Sequence, residues 1–266
     1  MTQNILIIGS GWLGLPLAKS LINQGHQVTA TTTSREKISN KILPIIHLNT
    51  DDDASLASIN DSFDVMIITI APQRKNPEHY LEQLQTLHQL AIRKKFRKVL
   101  FTSSTSVWGN NEGIVNEMTT MMPVSESAKA MVSFEAMARD ASEYKATIIK
   151  LAGLISGERH PGRFLAGKTA VDNPQAPVNL VAKEDVIGLI SQIINQQQWQ
   201  QSFIACAPSH PSRYEFYTQA AQQLNLTPPA FSSNNQPSKH IDGQATARHL
   251  NYQYKFPDLL TWLSLH

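Results

Sequence analysis

The stretch that most restricts what this chain can become is Gly9-Ser10-Gly11-Trp12-Leu13-Gly14, because of what flanks it. An apolar, β-branched run, Asn4 to Ile8, leads into it. Leu13 to Asn23 then has helical period, Gly25 ends that helix, and Gln27 to Thr31 reads as a second strand. Glycines at this spacing between a strand and a helix meet three separate demands. The first makes the tight turn, the second lets a pyrophosphate approach the backbone, and the third lets helix and strand pack closely. The helix N-terminus adds amide donors and the positive end of its dipole. The predicted unit is a Rossmann-type β-α-β, with Gly9, Gly11, Trp12, Leu13 and Gly14 against the pyrophosphate of a nicotinamide dinucleotide. Three glycines in an ordinary turn, and a flavin dinucleotide, are the competing readings.

The rest of the chain continues the alternation. Strands are expected at Leu43 to Leu48, Asp64 to Ile70, Lys98 to Thr102 and Ala146 to Leu151, each apolar enough to be buried on both faces. Asn76-Pro77-Glu78 is a cap, a first-turn proline and a dipole-matched charge, so a helix should run from there to about Lys94. A second helix is expected from Ser125 to Tyr144, with Ala128, Met131, Val132, Glu135 and Met137 at helical spacing. The fold class is therefore α/β, a doubly wound parallel sheet. Beyond Leu151 the pattern loosens. The expected division is residues 1–152 as the dinucleotide-binding domain and 153–266 mainly as a smaller substrate lobe, with some segments returning to the sheet. In that lobe Glu184 to Gln196 reads as a helix and Phe203 to Ala207 as a strand. Ser212-Arg213-Tyr214-Glu215 is a capping box opening a helix to about Leu224, and Thr227 to Gln244 reads as a surface excursion.

Composition narrows the partners. A formal charge of +2 on 266 residues, without a Lys/Arg run, argues against nucleic acid and for a small molecule. No stretch approaches the roughly 20 apolar residues of a membrane helix, so no membrane association is expected. The single cysteine, Cys206, rules out an internal disulfide and a cysteine-based zinc cluster. The histidines lack ligand spacing, no metal is expected, and the chain reads as cytoplasmic. The second strand runs into Thr32-Thr33-Ser34-Arg35 with no carboxylate at its tip. A carboxylate there would accept from the ribose 2′-hydroxyl of NAD and repel a phosphate. Thr32, Ser34 and the Arg35 guanidinium instead suit the 2′-phosphate of NADP. Glu36 argues the other way, and NAD stays open.

Three further stretches are Val99-Leu100-Phe101-Thr102-Ser103-Ser104-Thr105-Ser106-Val107-Trp108-Gly109, Lys129 with Glu135, and Val178-Asn179-Leu180-Val181 ahead of Glu184-Asp185-Val186. With the glycine turn they resemble the extended short-chain dehydrogenase/reductases, the NAD-dependent epimerase/dehydratase family. Gly11-Trp12-Leu13-Gly14 with Pro16-Leu17-Ala18, Leu151-Ala152-Gly153-Leu154 with Arg159-His160-Pro161-Gly162-Arg163-Phe164, and Ile241-Asp242-Gly243 are similar to its YeeZ-like subgroup.

The resemblance implies a serine at Ser104 bonding the reacting oxygen and a lysine at Lys129 binding the nicotinamide ribose, the catalytic pair. It puts Ser103 beside the cofactor, Ala71 and Pro72 at its adenosine side, and Ala152, Gly153 and Leu154 along the nicotinamide. It implies substrate contacts from Trp108, Arg159, His160 and Arg163, whose charge suits an anionic, sugar-nucleotide type of ligand, and a homodimer through the two long helices. Two departures stand out. The family's proton-exchanging tyrosine falls on Ser125, whose hydroxyl is too weak an acid to serve alone. Ile8 stands where most extended members have a glycine. An oxidoreductase or epimerase-like protein with an atypical site is expected, the alternative being a non-catalytic dinucleotide sensor or interaction protein.

Overall fold

The computed structural model describes residues 2–39, 43–72 and 76–266. In chain order the elements are β1 (Asn4–Ile8), α1 (Gly14–Asn23), β2 (Gln27–Thr32), β3 (Ile45–His47), α2 (Asp53–Ala57), β4 (Val65–Ile68), α3 (Pro77–Arg93), β5 (Lys98–Ser104), β6 (Gly113–Val115) and α4 (Glu126–Asp140). They continue with β7 (Lys145–Leu151), β8 (Gly153–Ile155), α5 (Gly162–Leu165), β9 (Leu180–Ala182), α6 (Lys183–Asn195), β10 (Ser202–Ala205), α7 (Arg213–Gln223), β11 (Lys239–Ile241), α8 (Gln244–His249) and α9 (Leu259–Leu265). Short 3-10 turns occupy Arg35–Ser39 and Thr105–Trp108.

The chain folds into two compact units. The first comprises Met1–Val107, Pro123–Lys150 and Ile190–Phe203, and the second Trp108–Met122, Leu151–Leu189 and Ile204–His266. Residues 108–122 belong to the second unit and 190–203 to the first, so the chain crosses between the two more than once.

The first unit is built on a seven-stranded sheet of order β10-β7-β5-β4-β1-β2-β3. β1 pairs in parallel with β2 and β4, β2 with β3, and β4 with β5. Every residue of β4 and Ile5–Ile7 of β1 is fully buried, as strands covered on both faces require. The strand order reverses between β1 and β4, and the crevice beyond the carboxyl ends there is where open α/β sheets bind ligands. Asn76 caps α3 by accepting from His79 N, and Pro77 opens the helix. α4 is shorter than the periodicity predicts. Its backbone turns extended at Ala141, and Tyr144 is buried with its hydroxyl 2.7 Å from His88 Nδ1. Leu84 and Leu87 of α3 and Met131 and Phe134 of α4 are almost wholly buried within the single chain, with Phe101 and Phe134 edge to face at 4.7 Å. A dimer through these two helices would therefore have to use their polar outer faces.

The second unit holds two small parallel pairs, β8 with β9 and β6 with β11. The last of these corrects the expectation for Thr227 to Gln244, which is not wholly an excursion. Lys239–Ile241 finds a partner strand more than a hundred residues upstream, a pairing that no local pattern announces. The unit's core joins Ile155, Leu180, Phe216, Trp262 and Leu263. Asp185 is fully buried and accepts from Tyr252 Oη, Lys255 N and Phe256 N at 2.9, 2.6 and 3.1 Å, tying α6 to the segment before α9. No helix among the described residues is long and apolar enough to cross a membrane.

His210, half-buried, lies tilted against His240 at 3.8 Å between ring centroids and bonds Val178 O at 3.0 Å through Nδ1. Burial and the neighbouring His240 ring pull it from its ordinary value near 6.5 to about 4, against the weaker opposing pull of the Val178 carbonyl and Asp242. Between those values the unfolded chain takes up a proton that the folded chain refuses. Stability from this group is complete above about 6.5 and is lost as pH falls toward 4. Thermal denaturation followed from pH 7 downward should show Tm falling through this window. His210→Asn, which keeps a donor for Val178 O, should give a shallower slope, and an unchanged slope would refute the assignment.

Candidate functional site

At the carboxyl end of β1 the chain enters α1 through the glycine turn. Gly9 has φ +101°, a conformation open to glycine and strained for other residues. Its N–H donates to Thr31 Oγ1 at 3.0 Å, and Ser10 N–H donates to Thr31 O at 2.7 Å, fastening the turn to β2. Thr69, just past β4, places its hydroxyl 3.0 Å from both Ile8 O and Gly9 O. A Cβ on Gly14 would fall 1.8 Å from Gly9 O and 2.8 Å from Thr69 Oγ1, so the helix can approach the turn only with a glycine there. Gly11 differs: among the described residues nothing lies within 4 Å of where its Cβ would stand.

Above this turn lies a cleft of about 230 Å³ walled by Gly9, Gly11, Thr31, Thr32, Ile70 and Gln83, among others. The N-terminus of α1 carries no side-chain cap. Thr50 Oγ1, also in the cleft wall, is buried without a hydrogen-bond partner among the described residues. A polar group expected to be paired and left unpaired is consistent with a wall that completes its bonding on a ligand. The open face of Gly11, the uncapped helix end and this hydroxyl fit a phosphate-bearing ligand. Ser34 N donates to Thr32 Oγ1 at 3.1 Å, and Arg35 is exposed at the start of its 3-10 turn. Ala71 and Pro72 follow Ile70 at the cleft's edge of β4.

The serine-rich end of β5 and the start of α4 carry the remaining first-unit residues. Ser104 Oγ accepts from Ser106 N at 3.1 Å and stays partly exposed. Ser103 is buried and donates to Glu135 Oε1 at 2.6 Å. Ser125 is the exposed N-cap of α4, accepting from Ala128 N at 3.3 Å. Lys129 Nζ lies 2.7 Å from Glu126 Oε1, an exposed pair.

The other predicted residues lie in the second unit. Ala152 is buried, Gly153 and Leu154 belong to β8, and a Cβ on Gly153 would meet the Leu180 side chain at 2.5 Å. Trp108 is 1% exposed and donates to Thr119 O at 2.9 Å, which leaves no open ring face for stacking. His160 is also buried. Its Nδ1 accepts from Gly162 N at 3.1 Å, its ring centroid lies 5.5 Å from that of Trp262, and burial, then His266 and Arg163, push its pKa down. It is a neutral core histidine rather than a solvent-facing acid. Arg159 and Arg163 are exposed, the former 5.8 Å from the Phe164 ring centroid. Sequence reasoning missed Thr50 and Gln83 as cleft residues and Thr69 as the residue that holds the glycine turn. Each is a single polar residue without a motif, brought into place by strand order and helix packing.

A family model described as NAD(P)H-binding matches residues 9–197, well over half the chain. Protein YeeZ of Escherichia coli (strain K12) is 37% identical over 273 residues, covering 97% of this chain and 98% of that protein. The chain belongs to the NAD(P)H-binding family and, within it, to the YeeZ-like proteins. YeeZ of Escherichia coli O157:H7 matches to the same extent. Among solved structures, one described as an NAD-dependent epimerase/dehydratase from Methylobacillus flagellatus superposes with a TM-score of 0.84 at 22% identity, covering 100% of this chain and 97% of the other. A UDP-glucose 4-epimerase superposes with a TM-score of 0.81 at 14% identity, covering 98% and 95%. MoeE5 in complex with UDP-glucuronic acid and NAD gives 0.76 at 16% identity, covering 98% of each chain. At such identities these structures share the fold, and the family membership rests on the first two findings.

For this NAD(P)H-binding chain the open side of Gly11 sets a direct expectation. Gly11→Val should fold with near-native circular dichroism, because no atom of the described residues lies within 4 Å of the added Cβ, yet lose nucleotide binding measured by calorimetry. Wild-type affinity in that variant would show that the turn is structural only.

Proposed function

We propose that the cleft above β1 and α1 binds NADP(H), and that the chain uses it in an oxidoreductase or epimerase-like reaction on a small anionic substrate of the nucleotide-sugar type. The observation that carries this reading is the cleft itself. Its glycine turn leaves space at Gly11, its wall includes Thr32, and the chain runs on from that wall into Ser34 and Arg35 with no carboxylate at the strand tip. When bound, the nicotinamide would supply or accept hydride. Gly9 and Gly11 give the pyrophosphate its approach to the backbone, Trp12 and Leu13 cover the start of α1, and Thr32, Ser34 and Arg35 hold the 2′-phosphate by hydroxyl and charge-assisted bonds. Ala71 and Pro72 bound the adenosine side.

In the reaction Ser104 orients the reacting oxygen, and Lys129 holds the nicotinamide ribose after exchanging Glu126 for it. Ser125, a helix cap at the family's tyrosine position, leaves the proton to water. The exposed Arg159 and Arg163 supply positive charge for a substrate phosphate or carboxylate. In support, the fold neighbour MoeE5 has been seen with UDP-glucose as well as UDP-glucuronic acid, each with NAD. Cys206, a buried free thiol, suits a reducing compartment, and we assign the chain to the cytoplasm.

Calorimetry should give a Kd for NADPH about ten-fold below that for NADH, a difference of about 1.4 kcal/mol, and Arg35→Ala should remove most of it. Equal or tighter NADH binding would overturn the preference.

With NADPH, reduction of generic aldehydes by the wild type should be weak, and Ser125→Tyr should raise it by on the order of 10². Tight cofactor binding without turnover in either protein would favour a sensor. Brisk turnover that survives Ser104→Ala with Lys129→Ala would overturn the assigned site.

A further inference from the structure

We propose that Glu135 is a positioning residue for the dinucleotide site, its buried carboxylate setting the strand end that bears Ser103 and Ser104; the inference rests on the cofactor reading above. Glu135 sits on α4 and is 0% exposed. Its Oε1 accepts from Ser103 Oγ at 2.6 Å, and its Oε2 from Arg139 Nη2 at 2.9 Å and Lys150 Nζ at 3.0 Å. Lys150, its side chain 4% exposed, goes on to donate to Ser202 Oγ at 2.9 Å. One carboxylate thereby joins β5, α4, β7 and β10.

Stability alone is a poor account of this arrangement. Desolvating two ions costs several kcal/mol each, and a well-packed apolar pair of the same volume is often as stable or more so. What an apolar pair lacks is direction. Carboxylate oxygens take donors along defined lone-pair directions, and charge-assisted bonds are short and stiff. Successive residues of a strand face opposite sides. With Ser103 held toward α4, Ser104 is turned to the other face, as is Thr102, whose hydroxyl donates to Ile68 O of β4 at 3.0 Å. Ile68 leads directly into Thr69, which grips the glycine turn. The buried pair thus stands at the carboxyl end of β5, on the sheet edge where α/β folds place ligands. At the opposite end of β5, Lys98 donates to two neutral side chains, Gln3 and Gln197, at 2.9 and 2.5 Å.

The test compares wild type, Glu135→Gln, which keeps one acceptor for Ser103, and the double variant Glu135→Leu with Lys150→Met, which keeps volume and removes the network. Each is titrated with NADPH by the coenzyme's own fluorescence, and Tm is measured alongside. The double variant should keep its Tm within about 5 °C while binding NADPH on the order of ten-fold more weakly, with Glu135→Gln in between. Affinity within about two-fold of wild type in both variants overturns the inference, whatever happens to Tm. If the double variant fails to fold, Glu135→Gln decides alone: weakened binding at native Tm supports positioning, and wild-type binding overturns it. Failure of the wild type to bind NADPH overturns the cofactor reading, and this inference with it.

Discussion

The contact on which the rest of the first unit depends is between two glycines. Gly9 must take a positive φ to reverse the chain at the end of β1, and its carbonyl then points so close to Gly14 that no side chain fits between them. That approach lets α1 start immediately above the sheet with its N-terminus directed at the cleft. Thr31 at the end of β2 and Thr69 just past β4, on either side of β1, secure the turn by bonding the backbone groups of Ile8 and Gly9. The cleft is a consequence. Its floor is the turn, its walls are the ends of β2 and β4 and the loop after β3, and the vacant side of Gly11 opens into it.

Beside this fixed turn, the candidate chemistry depends on how hydroxyls and charges are disposed at the end of β5 and the start of α4. Ser103 and Ser104 are neighbours in sequence with opposite fates, one buried on Glu135 and the other capping the next turn with solvent access. Ser125 spends its oxygen on the amide of Ala128, a structural duty that a tyrosine could not perform. Lys129 is held by Glu126 one turn before it on the helix. Under the function proposed above, a site without a phenol here relies on placement more than on acid strength, which raises the importance of whatever fixes the strand end.

Much of this was legible in the sequence because its cause is local. Apolar runs, caps such as Asn76 and Ser212, and the glycine spacing act within a few residues, and the corresponding elements formed. The two histidine-and-tryptophan assignments show the opposite case. Nothing adjacent to His160 or Trp108 marks them as interior, yet His160 packs on Trp262 from the far end of the chain and Trp108 bonds a carbonyl eleven residues on. β11 was likewise missed, since its polar residues become a strand only by pairing with β6.

By itself the sequence determined the β-α-β start, the alternation that yields a doubly wound sheet and the missing carboxylate at the end of β2. These follow from residue type and spacing, since sterics at glycine and periodic burial act over a single turn or strand. Only the tertiary structure decided which polar residues share the cleft and that Glu135 and Lys150 meet beneath Ser103. It also decided which aromatic and histidine side chains are buried, and where the chain crosses between its units. Those outcomes depend on contacts between residues tens to hundreds of positions apart, where the cost of burying a charge or an imidazole is offset by partners that sequence distance conceals.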